Sequence, residues 1–180
     1  MNRRTFVTGL ALTLPTAAFA QAAVDPENLL YLELKSGRVE IQMFPDLAPK
    51  HVAQIKALTR EGFYNNIAFH RVIEGFMAQS GDPSGTGGGG SKMPNLPSEF
   101  TVKRHFLRGT VGAARTSDPN SANSQFFIMF APGASLDGQY TIWGQVIKGM
   151  EFVDTIKRGE GRSLTNPDRI VTMRVAADVK

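Results

Sequence analysis

No cysteine occurs anywhere in the 180-residue chain. Disulfides, thiol catalysis and cysteine-ligated zinc are excluded, so the fold must be held by its own core. Histidine is scarce too: His51, His70 and His105 are the three present, without metal-ligand spacing and without a carboxylate at zincin offsets. There is no G-x-S-x-G nucleophile elbow. Any chemistry here is therefore expected to need no covalent intermediate, no metal and no cofactor. Lysine and arginine form no run interleaved with aromatics, which argues against nucleic acid as a partner. The length fits one domain, and 42% hydrophobic residues is an ordinary globular content.

What is present begins with an atypical leader, MNRRTFVTGLALTLPTAAFA. Paired Arg3-Arg4, an apolar run from Phe6 and small residues ending Ala18-Phe19-Ala20 describe a secretory signal peptide. The RR-T-F order fits the twin-arginine type. Pro15 interrupts the run, which falls short of the roughly 20 residues that a membrane span requires. A Sec signal or an uncleaved anchor is the alternative. Cleavage is placed after Ala20, with Ala22 as the second candidate. The mature chain is thus expected to be periplasmic or otherwise exported, without stable membrane insertion. Loss of the two leader arginines lowers its formal charge from +4 to +2. Residues 21–28 read as a linker and 29–180 as the domain.

Within the domain, LLYLELKSGRVEIQMF alternates apolar and exposed positions around Ser36-Gly37, which predicts two strands. A helix follows: Pro49 suits its first turn, Val52, Ile55 and Leu58 keep helical spacing, and Gly62 stops it. AFHRVI and FMAQSG are further strands, followed by a long loop from about Gly81 to Lys103. GTVGAA, SQFFIMF and YTIWGQVI are strand-like in composition. GMEFVDTIKRGEG predicts a second helix ending at Gly159, with Phe152, Val153 and Ile156 inward, and RIVTMRVAADV a last strand. Many short strands with one early and one late helix predict a closed or nearly closed antiparallel barrel capped by helices.

The long loop opens with GDPSGTGGGGSK, which contains G-x-G-x-x-G and nearly spells a P-loop. A phosphate loop needs a helix N-terminus behind its glycines. Pro94 and Pro97 forbid one here, and Ser91-Lys92 is reversed relative to G-K-[ST]. Nucleotide binding is not expected; the glycines let a surface loop turn and pack closely.

Two stretches carry a sharper signal: FHRVIEGFMAQSGDP (Phe69 to Pro83) and NSQFFIMF (Asn123 to Phe130). Alternation puts Phe69, Arg71 and Ile73 on one face, Met77 with Gln79, and Gln125 with Phe127. One face would combine an arginine, two amides, a methionine and a ring. Alternation alone favours a surface arginine beside core filler.

FHRVI-x-GFM-x-Q-x-GDP, then SQFFI, Leu136-Asp137-Gly138 and GQVIKGM (Gly144 to Met150), resembles the cyclophilin family of peptidyl-prolyl cis-trans isomerases. The likeness runs in order from about Leu30 to Val179. It implies an all-β fold with two helices: an eight-stranded antiparallel closed β-barrel capped by two α-helices. It also implies rotation about X-Pro bonds as the activity, and proline-containing segments of unfolded or folding proteins as partners of a monomer. A chaperone that holds such segments, with incidental catalysis, is the alternative.

Carried over by position, Arg71 is similar to the family's catalytic arginine. Phe76, Met77, Phe127 and Leu136 take the proline-pocket positions, and Gln79 that of the substrate-binding glutamine. Ala114 and Arg115 lie where backbone pairs with substrate, Gln125 borders the groove, and Tyr140 sits at the pocket edge. Three positions depart from the best-known eukaryotic pattern. Arg115 replaces asparagine, Ser135 the tryptophan that contacts cyclosporin, and Tyr140 a histidine. Trp143 is expected to be core, and His70 a satisfied structural histidine.

Overall fold

The computed structural model describes residues 24–179; the leader and the start of the linker lie outside them. Strand β1 (Leu29–Leu34) and strand β2 (Gly37–Met43) pair antiparallel across the predicted turn. Helix α1 (Pro49–Arg60) has proline in its first turn, and Gly62 beyond its end adopts φ 72°, the left-handed conformation that stops a helix. No side chain of α1's own N-cap serves its first turn. Glu99 does so from the distant loop: its carboxylate accepts from the backbone N–H groups of Lys50 and His51, each at 3.0 Å. Strands β3 (Arg71–Ile73), β4 (Met77–Ser80), β5 (Thr110–Ala113), β6 (Phe126–Met129) and β7 (Ile142–Lys148) follow, then α2 (Met150–Asp154), β8 (Gly159–Glu160) and β9 (Thr172–Val175). Among the described residues no helix is long and apolar enough to cross a membrane.

Two expectations are corrected. Instead of eight strands closing a barrel, nine strands among the described residues form one curled antiparallel sheet in the order β8-β3-β4-β6-β5-β7-β2-β1-β9, in which the edge strands β8 and β9 are not paired with each other. The seam is crossed by irregular backbone: Asn66 N–H donates to Ile170 O at 2.7 Å and Phe69 N–H to Asp168 O at 2.9 Å, around an isolated bridge between Ala68 and Arg169. Asn66 (φ 62°) and Asn166 (φ 51°) are left-handed and Pro167 has no N–H to give, so no regular ladder forms there. The second helix is also shorter than predicted. It stops at Asp154, and Gly159, expected to end it, instead starts β8 against β3.

Strand alternation sorts side chains into two layers. Leu30, Leu32, Val39, Ile41, Val72, Ala78, Val111, Phe126, Ile128 and Trp143 fill the inner face, onto which α1 lays Val52, Ile55 and Leu58. Trp143 is fully buried there, edge-on to Phe126. Met77, Phe127 and Met129 point outward with Phe44, Phe106 and Ile142 into a separate cluster. That outer cluster is the floor of the site.

Candidate active site

The site is built from the outer faces of β3, β4 and β6, where cross-strand register sets Arg71 opposite Gln79 and Gln79 opposite Phe127. Met77 and Phe127 are nearly fully buried, so their apolar atoms form a dry base. Phe127 stacks on Phe106 at 5.6 Å between centroids and takes Tyr140 edge-on at 5.8 Å. Leu136 reaches the same cluster from a short 3-10 turn, Ala134–Leu136. The next residue, Asp137, ties that turn to the ring beneath, because its carboxylate accepts from Phe106 N–H at 2.8 Å. This bond, then His105, holds the Asp137 carboxyl below its ordinary value.

A slot of about 120 Å³ results. Arg71, Phe76, Met77, Gln79, Ala114, Arg115, Phe127, Leu136 and Tyr140 line it. These are all the site residues expected from the sequence except Gln125. Gln125 lies in an adjoining groove of about 340 Å³ that shares Gln79, Ala114 and Arg115 with the slot.

Arg71 faces out of the sheet, 5.9 Å from the Phe76 ring centroid. Its Nε donates to Glu160 at 2.9 Å. Nη1 and Nη2 have no hydrogen-bond partner among the described residues, so two donor groups are uncommitted on a side chain that lines the slot. Gln79 donates through Nε2 to Gln125 Oε1 at 2.9 Å, and Gln125 Nε2 donates to Gly87 O at 2.9 Å and Gly89 O at 2.8 Å. An amide relay thus runs from the slot into the glycine loop.

What the loop cradles is a carboxylate of this chain. Asp82 is fully buried and accepts from Ser84 N–H at 2.8 Å, Thr86 N–H at 3.1 Å and Gly87 N–H at 2.6 Å, besides the Ser84 hydroxyl at 2.8 Å. Burial pushes its carboxyl up, but the hydrogen bonds led by Ser84 outweigh it and bring it down to about 2. The N–H groups that a phosphate would need are spent on Asp82.

Alternation mispredicted Phe69, which turns into the inner core because regular pairing in β3 starts only at Arg71. His70 is buried as expected, and burial keeps its imidazole below its ordinary value against the opposing pull of Asp82 and the Ala68 backbone. Three residues that matter were missed. Glu160 falls just beyond the predicted end of the second helix, where no strand is expected. Asp82 sat in a motif without an assigned role. Gly112 was one strand glycine among many; a Cβ there would lie 2.5 Å from Phe127 Cζ and 2.7 Å from Phe106 Cε1. A glycine inside a strand pattern is the signal for such a close approach.

Known proteins resemble this chain in sequence and fold. The family model described as cyclophilin type peptidyl-prolyl cis-trans isomerase/CLD matches residues 29–175. A protein of Brucella suis named a probable peptidyl-prolyl cis-trans isomerase is 53% identical over 185 residues, covering 95% of this chain and 93% of its own. A Synechococcus elongatus peptidyl-prolyl cis-trans isomerase is 40% identical, over 82% of this chain and 95% of its own. Among solved structures, a Hirschia baltica cyclophilin superposes with a TM-score of 0.79 at 30% identity, covering 87% of this chain and 77% of that one. A Cryptosporidium parvum cyclophilin crystallised in the presence of the dipeptide Ala-Pro gives 0.76 at 30% identity, covering 82% and 98%. Sequence and fold converge across nearly the whole described domain, and the chain belongs to the cyclophilin-type peptidyl-prolyl cis-trans isomerases.

Proposed function

We propose that this isomerase turns X-Pro bonds in the slot, with Arg71 as its catalytic residue. The barrier to peptide rotation, about 18–20 kcal/mol, comes from delocalisation of the nitrogen lone pair into the carbonyl. No bond breaks. The enzyme needs only to bind the twisted amide better than either planar form. In the twisted state the proline nitrogen is pyramidal and accepts a hydrogen bond. Arg71 supplies one from Nη1 or Nη2, while its Nε stays anchored to Glu160. A charge-assisted hydrogen bond contributes roughly 1.5–3 kcal/mol, or about ten- to a hundredfold in rate.

The remaining acceleration is positional. Phe76, Met77, Phe127 and Leu136 grip the pyrrolidine ring, with Tyr140 at the edge. Gln79 and the Ala114–Arg115 backbone hold the flanking peptide groups, and Gln125 fixes Gln79. The observation that carries this reading is a guanidinium whose Nη1 and Nη2 have no partner among the described residues, on the lining of a slot of about 120 Å³ with an apolar base of Met77 and Phe127. No separate observation favours a holding chaperone. Proline-containing segments of folding proteins are the substrate class, and we read the chain as an exported monomer whose leader is cleaved after Ala20.

The test is isomerisation of a proline peptide by wild type and Arg71→Ala side by side. Since the Arg71–Glu160 pair is solvent-exposed and worth little to stability, the variant should melt like wild type while kcat/KM falls ten- to a hundredfold. Undiminished kcat/KM would remove Arg71 from the mechanism.

A further inference from the structure

The two arginines at the slot differ in one respect. Arg71 is neutralised by Glu160 at 2.9 Å. Arg115 makes no ion pair among the described residues; every acceptor it touches is a neutral backbone carbonyl. Its Nε and Nη2 both donate to Gln139 O, at 3.2 and 2.8 Å, and Nη1 donates to Thr116 O at 2.8 Å and Ser117 O at 3.4 Å. Of five guanidinium hydrogens, one on Nη2 is left over. The group also lies 4.4 Å from the centroid of Tyr140. It is a cation clamped in place on the wall shared by the proline slot and the adjoining groove.

That groove has no other formal charge. Its remaining lining is glycine, alanine, serine, threonine, asparagine and glutamine, without a carboxylate to compensate Arg115 or a second cation to share its role. With a volume of about 340 Å³ it holds one or two side chains of a peptide whose proline occupies the slot. A fixed, unneutralised guanidinium binds a carboxylate at small entropic cost, because its rotamers are already spent.

We infer that Arg115 selects substrates carrying an aspartate or glutamate beside the proline, by pairing with that carboxylate in the groove. This rests on the slot being the proline site. The charge order follows: an acidic flanking residue favoured, its neutral amide next, a lysine least. Because the cation is half-buried rather than dry, the preference is modest and falls with salt.

The experiment uses capped Ala-Pro peptides with Glu, Gln or Lys placed in turn at the two positions on either side of the dipeptide. Isomerisation is measured by NMR exchange at low and high ionic strength. At one or more positions kcat/KM should run Glu above Gln above Lys, with Glu over Gln about three- to tenfold. The ratio should shrink at high salt and fall to about one in Arg115→Gln, with a melting curve confirming that the variant is folded. A Glu-to-Gln ratio near one at all four positions in wild type overturns the inference, as does a ratio that survives in folded Arg115→Gln. If no peptide is isomerised, the slot assignment itself fails; if Gln peptides turn over without charge preference, only the role of Arg115 does.

Discussion

Asp82→Asn is the substitution that most directly probes how the glycine loop is held. The wild-type carboxylate is fully buried and accepts three backbone N–H groups and the Ser84 hydroxyl. Asparagine has the same size, but only one of its two terminal atoms accepts. Whichever way the amide is turned, an N–H group faces a backbone N–H. The charge that strengthened each bond is also lost. A carboxyl that titrates at about 2 when folded, against about 3.9 when unfolded, contributes roughly 2–3 kcal/mol at neutral pH. For a domain of this length that corresponds to a fall of about 5–10 °C in melting temperature.

The pH dependence supplies a second, independent readout. A depressed folded-state value means that the contribution is fully present above the unfolded value and is lost as pH falls from about 4 toward 2. Wild type and Asp82→Asn should therefore differ in calorimetric melts at pH 7 and converge in acid. Activity should fall as well, since the carbonyls of Gly87 and Gly89 hold Gln125, and Gln125 holds Gln79. A melting temperature within about a degree of wild type at pH 7, or a gap constant down to pH 2, would refute the cradle.

Two further substitutions test the site's supports. Glu160→Gln should lower kcat/KM several-fold, because Arg71 loses its anchor, while the melting temperature barely moves for an exposed pair; equal kinetics would mean that the slot alone positions Arg71. Gly112→Ala drives a methyl group into the facing rings of Phe127 and Phe106. It should destabilise by about 1–3 kcal/mol and raise KM as Phe127 shifts into the slot, whereas unaltered KM and stability would show that the rings yield freely.

Much of this molecule was legible locally. Strand alternation placed Met77 and Gln79 on one face and Gln125 with Phe127, and the helix signals at Pro49 and Gly62 marked α1 at both ends. Those features depend on neighbours within a few residues, which a sequence displays directly. The family motifs, spaced along the chain, mark Arg71 as a site residue where alternation alone does not. The structure places that side chain outside the sheet beside Phe76.

Other features depended on partners far along the chain. Arg71 and Glu160 are 89 residues apart, and nothing local marks Glu160 as a strand residue. Periodicity failed at Phe69 because pairing begins two residues later, and the sheet stays open because the seam segments are bent by Asn66, Asn166 and Pro167. The composition of the glycine loop nearly spells a phosphate loop, which Pro94 and Pro97 rule out, and only the tertiary structure showed that its N–H groups hold the Asp82 carboxylate. Local spacing determined which groups each strand or turn could present; chain closure over long separations decided which of them meet, since a hydrogen bond or ion pair forms only where the folded backbone brings its two halves within reach.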